Sequence, residues 1–200
     1  MGRPRRAAAL LAAGLAAVPL GGCQPSQPTP PPLPSAPAPT TAAPTSPAPS
    51  GSARPEPGAD LVKVTGDPPV EPVAARVFAD YVRFWQRDML ALRSNDLRGS
   101  GALDYLFPPQ LQTTASYLTG QRRAGRHTEG TVDIAPEVGS VRGRSATVTD
   151  CLDQSAAYDV DRSGKRIRPA PRHLPLTVSL QLGTDSRWRV SNLGRRVGSC

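Results

Sequence analysis

The chain is poor in the residues that usually write chemistry into a sequence. It has two histidines and three cysteines in 200 residues. His127 and His173 sit at element boundaries with no ligand spacing around them, so no metal site is expected. There is no glycine-rich phosphate loop and no Gly-x-Ser-x-Gly elbow. Neither nucleotide handling nor the commonest hydrolase triad is written here, and no cofactor is expected. Lysine is almost missing: of 24 basic residues, 22 are Arg and two are Lys. GC-rich codon usage explains that bias by itself. The net charge of +8 also suits attraction to anionic lipids or wall polymers. No recognised nucleic-acid motif is present, and nucleic acid is not expected as a partner.

What the chain does have begins at its first residue. Arg3, Arg5 and Arg6 precede an apolar run, Ala7 to Leu20, and then Leu20-Gly21-Gly22-Cys23. A basic start, a short apolar stretch and small residues at a cut site make a secretory signal over residues 1–22. A cysteine directly after Leu-Gly-Gly resembles the lipobox of bacterial lipoproteins. That resemblance implies that Cys23 becomes the new N-terminus and carries lipid on its sulfur, with palmitate among the acyl groups. The chain would then be held at the outer face of the cytoplasmic membrane. Arg5-Arg6 also allows twin-arginine export, although alanines rather than stronger apolar residues follow.

Residues 23–69 read as a linker. Gln24 to Gly58 holds 13 prolines in 35 residues, interleaved with Ala, Ser and Thr. Such a stretch cannot bury enough apolar surface to offset its ordering entropy. It is expected to be extended, with polyproline II character and a reach of about 110 Å at roughly 3.1 Å per residue. The folded domain is then expected over residues 70–200, one core of ordinary size. Cys23 is assigned to the lipid. Cys151 and Cys200 form an even pair, which in an oxidising compartment argues for one disulfide. Two free thiols are the alternative reading.

Within the domain the hydrophobic period is first helical. Glu71-Pro72 opens a helix running to about Arg93, with Val77, Phe78, Tyr81, Phe84, Trp85 and Met89 on one half of its circumference. Asp88 breaks that pattern, being the one charge on the apolar half. A hydrogen-bonding or cationic partner from the sheet, an Arg or a Tyr, is expected for it. Ala102 to Phe107 reads as a short helix. Pro109 to about Arg123 reads as another, with Leu111, Thr114, Ala115 and Leu118 on one face. After Thr128 the period becomes two. Val132, Ile134 and Val138 are expected in one strand, with a turn at Gly139-Ser140. Ala146, Val148 and Leu152 mark the next strand, and Leu174 to Leu182 alternate most cleanly. Trp188 and Val190 mark the last, after a turn at Gly183-Thr184-Asp185. The span Asp161 to Arg172 is a basic, proline-bearing excursion. Helices first and four or more antiparallel strands after them mean α+β, with helices covering one face of a curved sheet.

Several of these segments together resemble a known superfamily: Tyr81, Phe84 and Trp85 at the centre of the long helix, Ala146 to Cys151, Trp188 with Val190, and the terminal Cys200. They are similar to the NTF2-like (SnoaL-like) cone-shaped domains of lipidated and secreted actinobacterial proteins. The resemblance implies a cavity between the long helix and a concave sheet. It implies no single activity, because the superfamily holds ketosteroid isomerase-like and polyketide cyclase-like enzymes beside binding domains. Strand parity then places Asp150 and Asn192 on the inner face with Tyr81, Trp85 and Asp88 as a candidate ligand pocket. The favoured reading is a non-enzymatic domain that binds a small apolar ligand or a protein partner. The alternative is an isomerase-like or cyclase-like enzyme with Asp88 or Asp150 as general base and Tyr81 as hydrogen-bond donor. Tyr81 and Trp85 also read as plain core residues. Arg162, Lys165, Arg166 and Arg168 read either as a solvated hairpin or as a contact to an anionic surface.

Overall fold

The computed structural model describes residues 55–167 and 172–200. The signal segment, Cys23 and Arg168 lie outside the described residues. The chain's first regular piece is β1, Val62–Val64, preceded by a 3-10 turn at Ala59–Leu61. Helix α1, Pro72–Ser94, follows. Its start is written in two residues. Pro72 lacks an N–H where the helix needs none, and the Glu71 carboxylate accepts from Val73 N at 3.0 Å and Ala74 N at 2.6 Å. Asn95 ends it in the left-handed region, φ 53°. The buried stripe of α1 includes Val77, Tyr81, Phe84, Trp85 and Met89. Each such large side chain contributes roughly 2 kcal/mol by leaving water.

The second helix, α2, spans Gln110–Ala124 and closes on Gly125. The strands that follow are β2 His127–Glu129, β3 Val132–Ile134, β4 Glu137–Arg142, β5 Ser145–Asp153, β6 Tyr158–Val160, β7 Arg166–Ile167, β8 His173–Leu182 and β9 Trp188–Arg195. Among the described residues they form an open six-stranded sheet of order β1-β3-β5-β8-β9, with β4 paired to β5, and a three-stranded sheet of order β2-β6-β7. The class is α+β: helices packed on a multi-stranded, largely antiparallel sheet. Every second residue of β5 from Ala146 to Leu152 is buried, and β8 presents Leu176, Val178 and Leu180 to the same core. Cys151 and Cys200 are disulfide-bonded, with Cα atoms 5.8 Å apart across 49 residues of sequence. Among the described residues, no helix is long and apolar enough to cross a membrane.

Five details differ from the sequence expectations. The sheet begins before residue 70: β1 pairs in parallel with β3, and Leu61 and Val62 join the core. Val132, Ile134 and Val138 do not share one strand, because Ala135-Pro136 interrupts the ladder and the Ala135 N–H goes instead to the Asp150 carboxylate. Gly139 and Ser140 are not a turn. They are two residues facing Thr147 alone, a bulge inside β4, with Ser140 N donating to Thr147 Oγ1 at 3.0 Å. The hairpin turns at Gly143-Arg144, where Gly143 supplies a φ of 57°. The short helix is a 3-10 turn ending at Tyr105. Leu106 leaves it to bridge Val190, and Phe107 N bonds Val190 O at 2.9 Å. Finally, the basic excursion belongs to a sheet: its described residues supply β7, and β6 lies just before it.

Candidate functional site

Two of the buried carboxyl groups packed along helix α1 belong to the expected site, and they lie within two turns of each other. The first lies under Tyr81. Asp150, inward on β5 as its parity predicts, is 2% exposed. Its Oδ2 accepts from the Tyr81 hydroxyl and its Oδ1 from Ala135 N, each at 2.7 Å. Burial raises the Asp150 carboxyl above its ordinary range, while bonds from Tyr81, Ala135 N–H and Cys151 N–H pull it back. Tyr81 is raised well above its ordinary value, first by burial and then by the Asp150 charge. The Trp85 indole N–H lies near enough to oppose that shift without reaching hydrogen-bond geometry. Both Asp150 oxygens are thus occupied inside the protein.

The second environment is unfinished. Asp88 is 8% exposed, and its Oδ1 has no hydrogen-bond partner. Burial pushes its carboxyl up to about 7. The Arg or Tyr partner expected from the sheet is not there among the described residues. The sheet-facing tyrosine of α1 bonds Asp150 instead. Trp85 Nε1, one turn away from Asp88, is also buried without a partner.

Trp85 and Met89 line a cavity of about 110 Å³ that opens between α1, α2 and the small sheet. Tyr117 of α2, Leu152 of β5, and Tyr158 and Asp159 of β6 complete its character. Tyr117 is half exposed and stands partly in solvent. Its hydroxyl accepts from Gln121 Nε2 at 2.7 Å, and Gln121 also donates to Asp159 Oδ2 at 2.7 Å. Thr128 Oγ1 donates to Asp159 Oδ1 at 2.7 Å. Burial raises the Tyr117 phenol, and the Asp159 and Asp88 charges raise it further.

The five residues expected to share one pocket are therefore divided. Tyr81 and Asp150 form a closed pair in the core. Trp85 lines the cavity, with Asp88 buried beside it on the same helix. Asn192 is exposed, which corrects its assignment to the inner face. The cause is a bulge: Leu180 pairs with Val190 and Ser179 with Asn192, so Ser191 is an extra residue and parity flips after it. Ser191 is buried in its place. Sequence reasoning missed Tyr117, Tyr158 and Asp159, which sit on short or polar elements without a clear period. Asp80, outside the apolar arc of α1, is also buried, and its Oδ2 accepts from Trp188 N at 2.9 Å.

Arg162, Lys165 and Arg166 are exposed, and Arg166 stacks 4.5 Å over the Tyr158 ring. Arg162 reaches across to Arg123 O at the end of α2.

No protein-family model and no curated protein matches this chain. Two solved structures show a weak relation of fold. The intermembrane space region of the chloroplast protein ARC6 is 15% identical with a TM-score of 0.49, over 60% of this chain and 93% of that one. A protein from Catenulispora acidiphila is 13% identical with a TM-score of 0.40, over 61% and 91%.

Proposed function

We propose that this is a non-enzymatic binding protein of the bacterial cell envelope. Lipid on Cys23 holds it at the outer face of the cytoplasmic membrane, the proline-rich stretch Gln24 to Gly58 serves as the linker, and an NTF2-like domain takes up a small, mainly apolar ligand. The observation that carries this reading is the cavity beside Trp85, whose walls are mostly apolar with a few polar side chains, Thr128 and Asp159 among them. Binding sites are built in this way, from apolar walls and a few polar groups that orient the guest. The alternative of a protein partner gains weight only if the cavity takes no ligand. The isomerase-like reading is less well supported, because both oxygens of Asp150 hold internal donors and neither Asp150 nor Asp88 lines the cavity. Arg162, Lys165, Arg166 and Arg168 are proposed to touch the anionic surface below.

Two measurements test the reading. Native mass spectrometry and a thermal-shift panel of small apolar compounds should give one that raises Tm by several degrees at saturating concentration. A panel that leaves Tm unchanged would turn the proposal to the protein-partner version. Cys23→Ala should free the chain from the membrane or leave its signal uncleaved. Tight membrane association of a processed Cys23→Ala chain would refute the anchor.

A further inference from the structure

The cavity's lining is more specific than an apolar hole requires. Three of the chain's aromatic residues, Trp85, Tyr117 and Tyr158, converge on it from three elements. Among the described residues, no Lys, Arg or His lines it. Asp159 does line it, and its hydrogen bonds come from the neutral donors Gln121 and Thr128. Asp159 forms no ion pair with a described cation. The site therefore combines aromatic rings with acidic charge left without a counter-charge.

We infer that this cavity seats a small alkylated ammonium group, held by Trp85, Tyr117 and Tyr158 and balanced by Asp159. The inference rests on the pocket reading above and names its ligand class. Aromatic rings attract cations through their negative faces, and most strongly where water is excluded. Tyr158 already serves a cation in this way, since Arg166 stacks on its ring without entering the cavity. A bare ammonium brings three N–H donors that these apolar walls cannot satisfy. An alkylated one brings fewer or none, and so suits the walls. An anion would meet Asp159 directly and be repelled. A purely apolar guest would leave the Asp159 charge without a counter-charge. Size agrees as well: a dry cavity of roughly 150 Å³ holds a benzene molecule, and 110 Å³ with an open mouth takes a compact methylated head.

The test uses the processed chain from residue 23 with Cys23→Ser, titrated calorimetrically with choline and with 3,3-dimethylbutan-1-ol, its uncharged carbon isostere. Choline should bind about tenfold more tightly. Asp159→Asn should lower choline affinity and narrow that preference severalfold, and Tyr117→Leu, at a half-exposed position, should lower choline affinity severalfold as well. Melting curves of both variants establish that they fold. Equal affinity for the two probes would overturn the cation assignment and leave the apolar-pocket reading standing. Failure of choline to bind at tens of millimolar would also overturn it, and the apolar panel would then judge the pocket separately. A choline preference that survives Asp159→Asn and Tyr117→Leu unchanged would place the cation elsewhere.

Discussion

Asp150 and Asp88 are both buried against the same helix, yet only one of them is closed. Asp150 shares its charge with a phenol and a backbone N–H at 2.7 Å each, and its neighbour Cys151 is cross-linked to the C-terminus. Asp88 has an oxygen with no partner and a carboxyl pushed up to about 7. The difference separates a polar group that builds the fold from one that the fold tolerates at a cost. Unfinished groups of the second kind are where a ligand gains most, because binding supplies what folding left out.

The largest expected effect lies in the pH dependence of stability. Asp88 folded holds its proton to about pH 7, whereas an unfolded aspartate releases it near 3.9. Between these values the native state binds more protons, so stability falls as pH rises, by on the order of 4 kcal/mol, and levels off above. Urea titrations from pH 4 to 8 should show this fall, and Asp88→Asn should flatten it. A wild-type profile already flat in that window would mean that Asp88 is solvated, and the contrast would vanish.

Next comes Asp150→Ala, which strands the Tyr81 hydroxyl and the Ala135 N–H. A loss of about 3 kcal/mol is expected in chemical unfolding, with no change in ligand affinity at the cavity. A smaller loss than that of Asp88→Ala would reverse the assignment of roles. Reducing the Cys151–Cys200 bond should cost about 2 kcal/mol, and hydrogen exchange should quicken first in the amides of β9 near Cys200. Uniform quickening across α1 would show that the cross-link serves the whole core. The smallest effect is expected for Tyr81→Phe, about 1.5 kcal/mol. Asp150 keeps its bond from Ala135 N–H, so its burial should survive.

Much of the closed region was legible in the sequence. The helical arc fixed the length of α1, the alternation over Leu174–Leu182 marked the longest strand, and parity correctly put Asp150 inside. Asp88 stood out as the charge on an apolar face. Of the expected pocket residues only Trp85 lines the cavity, while Met89, Val132 and Leu152 were legible as apolar positions. Its other walls come from β6, three residues long, and from the Tyr117 flank of α2, off the apolar face of that helix. Strand β1 escaped for a related reason: it is three residues long and pairs with β3 some 70 positions later, with nothing local to announce it. Asn192 was misplaced because parity counting assumes an unbroken ladder, and one inserted residue defeats it.

That inserted residue is absorbed without moving the end of the strand. Arg196 N still bonds Pro175 O at 2.8 Å, level with Cys151, which pairs with Pro175 on the other side. Only four residues then remain to bring Cys200 back to Cys151. Because Asn192 already faces Ser179, Leu193 faces Val178 and Gly194 faces Thr177, a strand without Ser191 would keep every later pair and bring the last sulfur to the same mate. The bulge is thus a place where the chain takes in one residue more at no cost to the cross-link beyond it, and deletion of Ser191 should leave the Cys151–Cys200 bond intact.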